Sequence, residues 1–125
     1  MVIKKVLVID DEQDILELWI SQIKRMDIMI EVHSATNGVE GLALTNAVPN
    51  YDLIITDFKM PKMNGLEFIQ HLRENSNYRQ TPVMFFTGYL PELKEHTGAL
   101  ENVFLFDKPF ISDKLKTNIK MCLKL

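Results

Sequence analysis

Along this chain, short apolar blocks alternate with stretches of helical spacing. Val6-Leu7-Val8-Ile9, Leu53-Ile54-Ile55, Val83-Met84-Phe85-Phe86 and Val103-Phe104-Leu105-Phe106 are continuous apolar runs. Runs of that length, rich in β-branched and aromatic side chains, predict strands buried on both faces. The more broken block Ile28-Met29-Ile30-Glu31-Val32-His33 predicts an edge strand. Between the first two blocks, Leu16, Trp19, Ile20 and Ile23 recur at helical spacing, with Glu17, Lys24 and Arg25 on the opposite face. Asn37 with Glu40, and Asn64 with Glu67, have the spacing of capping boxes, and Pro49 stops the first of these helices. Ser112 is placed to cap a last helix whose inner face is Leu115, Ile119, Cys122 and Leu123. Segment 91–98 opens on a proline and has only Leu93 as an inner anchor, so it predicts the least stable helix.

Five strands alternating with five helices predict a parallel sheet covered on both faces. Right-handed crossovers leave few topologies. The expected architecture is a flavodoxin-like, doubly wound α/β fold with strand order 2-1-3-4-5 and its ligand crevice at the carboxyl ends of the strands.

A length of 125 residues predicts one domain spanning 1–125. The net charge of −3 gives no basic footprint, so direct nucleic-acid binding is not expected. Lys114, Lys116, Lys120 and Lys124 instead suit the negative end of a helix dipole. The apolar runs are strand-length, well short of the roughly 20 residues of a membrane span. Lys4, Lys5, Asp10 and Asp11 break up any signal-peptide core. Cys122, the single cysteine, has no internal disulfide partner, in keeping with a reducing compartment. A cytoplasmic protein with no membrane partner is expected.

Where the acids fall changes the picture. Asp10 and Asp11 follow the first strand, Asp57 the third, Thr87 ends the fourth, and Lys108 follows the fifth. In an open parallel sheet all of these lie on one edge. Any one aspartate after a strand is ordinarily a turn or cap residue; their joint placement is what points to chemistry. Clustered carboxylates repel unless a cation neutralises them, and a set of hard oxygen donors suits Mg²⁺. His33, His71 and His96 have no ligand spacing, Trp19 has core spacing, and the seven methionines read as gap-fillers, with Met60 and Met63 near a partner surface.

The stretches VLVIDDE, DLIITDFKMPKMNGLEF, VMFFTG and FDKPF, in that order, resemble the successive signatures of response-regulator receiver domains, over essentially the whole chain. The resemblance implies a phospho-acceptor module of two-component signalling, not a turnover enzyme. It implies Asp57 as the phosphorylated aspartate, with Asp10, Asp11, Asp57 and the backbone carbonyl of Lys59 holding Mg²⁺ or Mn²⁺. It further implies Thr87 as the hydroxyl that binds a phosphoryl oxygen and Lys108 as its ammonium partner, aimed inward by a cis Lys108-Pro109 bond. The implied partners are a sensor histidine kinase or phosphotransfer protein and an effector. A phosphorylation-dependent dimer would form through the fourth helix, fifth strand and fifth helix.

Three positions depart from the commonest pattern of that family. Leu105 stands where a tyrosine, phenylalanine or histidine usually reports phosphorylation, so Tyr89 or Phe104 is expected to carry the coupling. Lys59 and Tyr89 are expected to overhang the mouth of the site. Three other readings compete with the signalling module. A flavin or nucleotide carrier needs a phosphate-binding loop after the first strand, where the acids repel phosphate without a metal. A degenerate receiver would keep the fold and act as a phosphorylation-independent interaction module. A haloacid-dehalogenase-type phosphohydrolase needs an Asp-x-Asp nucleophile after the first strand, which Asp10-Asp11-Glu12 does not supply.

Overall fold

The computed structural model describes residues 3–26, 29–88, 101–107 and 113–124, with the side chains of Asp107 and 113–115 left aside. The described elements run β1 (Lys4–Ile9), α1 (Gln13–Lys24), β2 (Ile30–Ala35), α2 (Gly38–Ala47), β3 (Leu53–Asp57), α3 (Gly65–Leu72), a 3-10 turn (Ser76–Tyr78), β4 (Val83–Thr87), β5 (Val103–Asp107) and α4 (Asp113–Cys122). The five strands form one parallel sheet in the order β2-β1-β3-β4-β5, as the sequence predicts. The predicted helix at 91–98, the Ser112 cap, Tyr89, His96, Lys108 and the Lys108-Pro109 bond lie outside the described residues.

Alternation along the central strands sends side chains into two cores. Val6 and Val8 of β1 join Leu16, Trp19 and Ile23 of α1 and Ile119 and Leu123 of the α4 end. Leu7 and Ile9 face the other way, onto Phe68, Ile69 and Leu72 of α3, with Leu42 of α2 at the margin. This two-sided burial explains why β1, β3 and β4 read as unbroken apolar runs. Each fully buried Leu, Ile or Phe contributes roughly 1.5–3 kcal/mol.

Trp19 is core, as its spacing implies, with its ring edge-on to Phe86 at a centroid distance of 4.5 Å. Met60 and Met63 are partly buried and pack against the second core, in keeping with the role of filler. Cys122 is half-buried, and burial pushes its thiol pKa up, which suits an inert side chain.

Both capping asparagines are where the spacing predicts. Asn64 accepts from the Glu67 amide at 2.8 Å and Glu67 returns a bond to the Asn64 amide at 3.3 Å, a full box. At α2, Asn37 accepts from the Glu40 amide at 2.9 Å, but the Glu40 carboxylate takes the Thr36 amide at 3.0 Å and the Thr36 hydroxyl instead. Those bonds hold the Glu40 carboxyl below its ordinary pKa. β2 is an edge strand as expected, but it runs Ile30–Ala35, two residues later than the apolar block at 28–33.

Close packing of α2 and α3 against the sheet depends on missing side chains. A Cβ on Gly41 would lie 2.6 Å from Ile9 and 2.9 Å from the Phe68 ring. A Cβ on Gly65 would lie 2.2 Å from the Asp57 carbonyl oxygen and 2.8 Å from the Phe85 ring. Glycine at 65 is required by that approach to the strand, since its φ is not positive.

Candidate functional site

The carboxyl edge of the sheet gathers the predicted acids. β1 pairs with β3 through Ile9 and Thr56, which brings Asp10 beside Asp57, the last residue of β3. Asp57 is in turn paired with Phe86 of β4, with Thr87 next along that strand. Asp10 is 1% exposed, Asp57 8% and Thr87 0%, so the floor of the site is buried, whereas Asp11, Glu12 and Lys59 are exposed around it.

One carboxylate oxygen from each of Asp10, Asp11, Glu12 and Asp57 lies within 4.8 Å of the others. At that spacing each ionised pair repels by roughly 3 kcal/mol for an effective dielectric of 20. A cluster of oxygen donors with no sulfur or imidazole fits a hard divalent cation such as Mg²⁺. The backbone shapes the two inner acids. The Glu12 amide donates to Asp10 Oδ1 at 3.0 Å, turning the chain from β1 into α1. The Phe58 amide donates to Asp57 Oδ1 at 2.7 Å.

Glu12 belongs to this cluster although the resemblance implies only Asp10, Asp11, Asp57 and the Lys59 carbonyl as ligands. It occupies the N-cap of α1 in extended conformation and makes no side-chain capping bond, so its carboxylate is not spent on the helix. Its adjacency to the pair was the available signal. The loop after Asp57 folds back tightly: the Gly65 amide donates to the Phe58 carbonyl at 2.7 Å and the Gly38 amide to the Met63 carbonyl at 3.2 Å. Lys62, in that loop, has a φ of 68°. Asp10, Asp11, Asp57 and Thr87 are thus brought to one edge with Lys59 at its rim. Lys108, which follows β5 in the chain, lies outside the described residues.

The family model for the response regulator receiver domain matches residues 6–120, and the chain belongs to that family. Chemotaxis protein CheY1 of Helicobacter pylori is 29% identical over 121 residues, covering 95% of this chain and 96% of that protein. The transcriptional regulatory protein YrkP of Bacillus subtilis is 32% identical over 116 residues, 92% of this chain; the chain spans about half, 47%, of that relative's length. Among solved structures, response regulator protein TrrA of Thermotoga maritima, in complex with Mg²⁺-BeF, aligns with a TM-score of 0.80 and 30% identity over 97% of this chain and 100% of that one. The molecule is therefore a receiver domain of two-component signalling with an acidic pocket able to take a metal, a signalling module in class. Among the described residues, no helix is long and apolar enough to cross a membrane.

Proposed function

We propose that Asp57 accepts a phosphoryl group from a phosphohistidine of a sensor histidine kinase or phosphotransfer protein, and that residues 1–125 act as one cytoplasmic receiver unit. The observation that carries this is the convergence of Asp57 with Asp10, Asp11 and Glu12 within 4.8 Å at the carboxyl edge of the sheet. An Asp57 carboxylate oxygen attacks the phosphorus in line; the P–N bond breaks, the partner's imidazole leaves, and an aspartyl phosphate forms. Mg²⁺, held by Asp10, Asp11, Asp57 and the Lys59 carbonyl, would supply positive charge against the phosphoryl oxygens. Thr87 donates its hydroxyl to one of those oxygens and Lys108 pairs with another. Water later attacks the phosphorus and restores the carboxylate, so the chain catalyses only its own phosphorylation and reset.

Burial of Asp10, Asp57 and Thr87 supports this division of labour, because preorganised charges act most strongly away from bulk water. The output surface comprises segment 91–98, β5 and α4, through which an effector or a second copy binds. Phe104 is 43% exposed on β5, whereas Leu105 packs against the second core. That contrast favours Phe104 over Leu105 as a surface reporter.

Incubation with acetyl phosphate and Mg²⁺, followed by intact-mass analysis and peptide mapping, tests the assignment. One phosphoryl group on Asp57 is expected, with none on Asp57→Asn. Substantial label in that variant, or on another residue, refutes it.

A further inference from the structure

The helix after the acceptor is tied at both ends, and the far tie leads to β5. At its start, the Asp57 side chain accepts from the Phe58 amide at 2.7 Å, and the Phe58 carbonyl accepts from Gly65 at 2.7 Å. Gly65 sits so close to the Asp57 carbonyl that no Cβ fits between them. The eight residues of α3 then span about 12 Å, locked by the capping box and by buried Phe68, Ile69 and Leu72.

At its end stands Arg73, the C-cap. Its guanidinium Nη1 donates to the Tyr78 carbonyl at 2.6 Å and the Thr81 carbonyl at 2.7 Å, and Nη2 donates to the Glu101 carbonyl at 2.9 Å. Glu101 leads directly into β5. The same junction is cross-tied by Asn102, in left-handed conformation at φ 54°, whose Nδ2 donates to the Gln80 carbonyl at 2.8 Å. The Val83 amide closes it onto the Asn102 carbonyl at 3.0 Å. Partial burial of the guanidinium lowers its pKa, which Glu101 partly offsets, and three backbone carbonyls accept from the fork.

We propose that α3 and Arg73 form a second route from the acceptor to β5, which reaches that strand at its amino end. A change at the Asp57 carboxylate alters the Phe58 peptide, the Phe58 peptide moves Gly65, and the packed helix carries the displacement to Arg73. Arg73 then pulls on Glu101. Thr87 lies at the opposite, carboxyl end of the β4–β5 pair, so the two routes meet the same strand from different sides. Arg73 is a transmitting residue and not a catalytic one. Its use in signalling rests on the phospho-acceptor reading given above, whereas the mechanical tie does not.

The test has two arms, both read by amide NMR of the full chain. In the resting protein, Gly65→Ala perturbs the start of α3, and the milder Asn64→Ala loosens the same end should the first variant fold poorly. Either change is expected to shift the amides of Asn102 to Phe104. In an Arg73→Gln background that shift should fall about fivefold or more, and Arg73→Lys, which has no fork, should behave like Arg73→Gln. Loss of Arg73 should also speed hydrogen exchange at Val83 about tenfold or more. In the second arm, Mg²⁺ and beryllofluoride are added to Thr87→Ala. A remaining shift at Asn102 to Phe104 that vanishes on adding Arg73→Gln supports the route. The inference is overturned if the resting-state shifts are unaffected by Arg73, or if Thr87→Ala alone abolishes the response in β5. Absence of any adduct at Asp57 and Phe58 would count against the phospho-acceptor reading, and the resting arm would still decide the tie.

Discussion

Alanine at position 65 ought to stabilise this protein on helix propensity alone, by up to about 1 kcal/mol over glycine. The structure predicts the reverse. A Cβ there begins 2.2 Å from the Asp57 carbonyl oxygen, so the helix and the strand must separate by about 1 Å to reach ordinary contact. The obstructing atom is backbone, in a strand paired on both sides, and it cannot rotate away. Overpacking of this kind costs about 1–3 kcal/mol, and an unyielding neighbour places Gly65→Ala near the top of that range. The net expectation is a loss of about 2 kcal/mol, or roughly 8 °C in Tm for a domain of this size. Gly88→Ala is the control, because nothing lies within 4 Å of a Cβ at that position; it should stay within about 0.5 kcal/mol of the parent. Urea unfolding followed by far-UV circular dichroism measures both. A Gly65→Ala protein as stable as the parent, or a Gly88→Ala protein equally destabilised, would show that the approach to Asp57 is not the constraint.

Three further outcomes are expected. Asp11→Ala should weaken Mg²⁺ binding about tenfold or more by calorimetry, and unchanged binding would place the cation elsewhere. Asn64→Ala removes the bond to the Glu67 amide and should cost about 1 kcal/mol in urea unfolding. Burial, with smaller contributions from nearby Tyr78 and Glu31, pushes the Tyr51 phenol from 10.0 up to about 12. Above pH 10 the unfolded chain therefore loses a proton that the folded chain keeps, so stability is complete below pH 10 and is lost as pH rises towards 12. The loss is at most about 3 kcal/mol, and Tyr51→Phe should flatten the slope over that window.

The central strands were legible because two-sided burial writes itself into the sequence as unbroken apolar runs. β2 was legible in kind but not in register. Its last residues, Ser34 and Ala35, pair with Val8 and Ile9, yet they are too small or too polar to extend an apolar pattern. Asp57 was expected just after the third strand and is its last member, because its pairing with Phe86 defines the strand end. The acids of the site could be read from their positions at strand ends. Glu12 could be seen but not assigned, since its share in the cluster depends on the extended backbone at the start of α1. Arg73 was invisible: its partners are carbonyls 5, 8 and 28 residues away, and no side-chain pattern marks a carbonyl.

The position of Trp19 gives the molecule a built-in optical gauge. It is the chain's single tryptophan, and the ring it touches, Phe86, immediately precedes Thr87. Phe86 is itself stacked on Phe106 of β5, centroids 4.9 Å apart and planes within 10°. One fluorophore thus borders a two-ring column that spans the neighbouring strands of the proposed switch. A tilt of either strand changes the environment of the indole without any label being added. Stopped-flow emission of the unmodified protein can then time the arrival of a signal at β4 and β5, and the order of those events becomes a matter of kinetics instead of end-point structures.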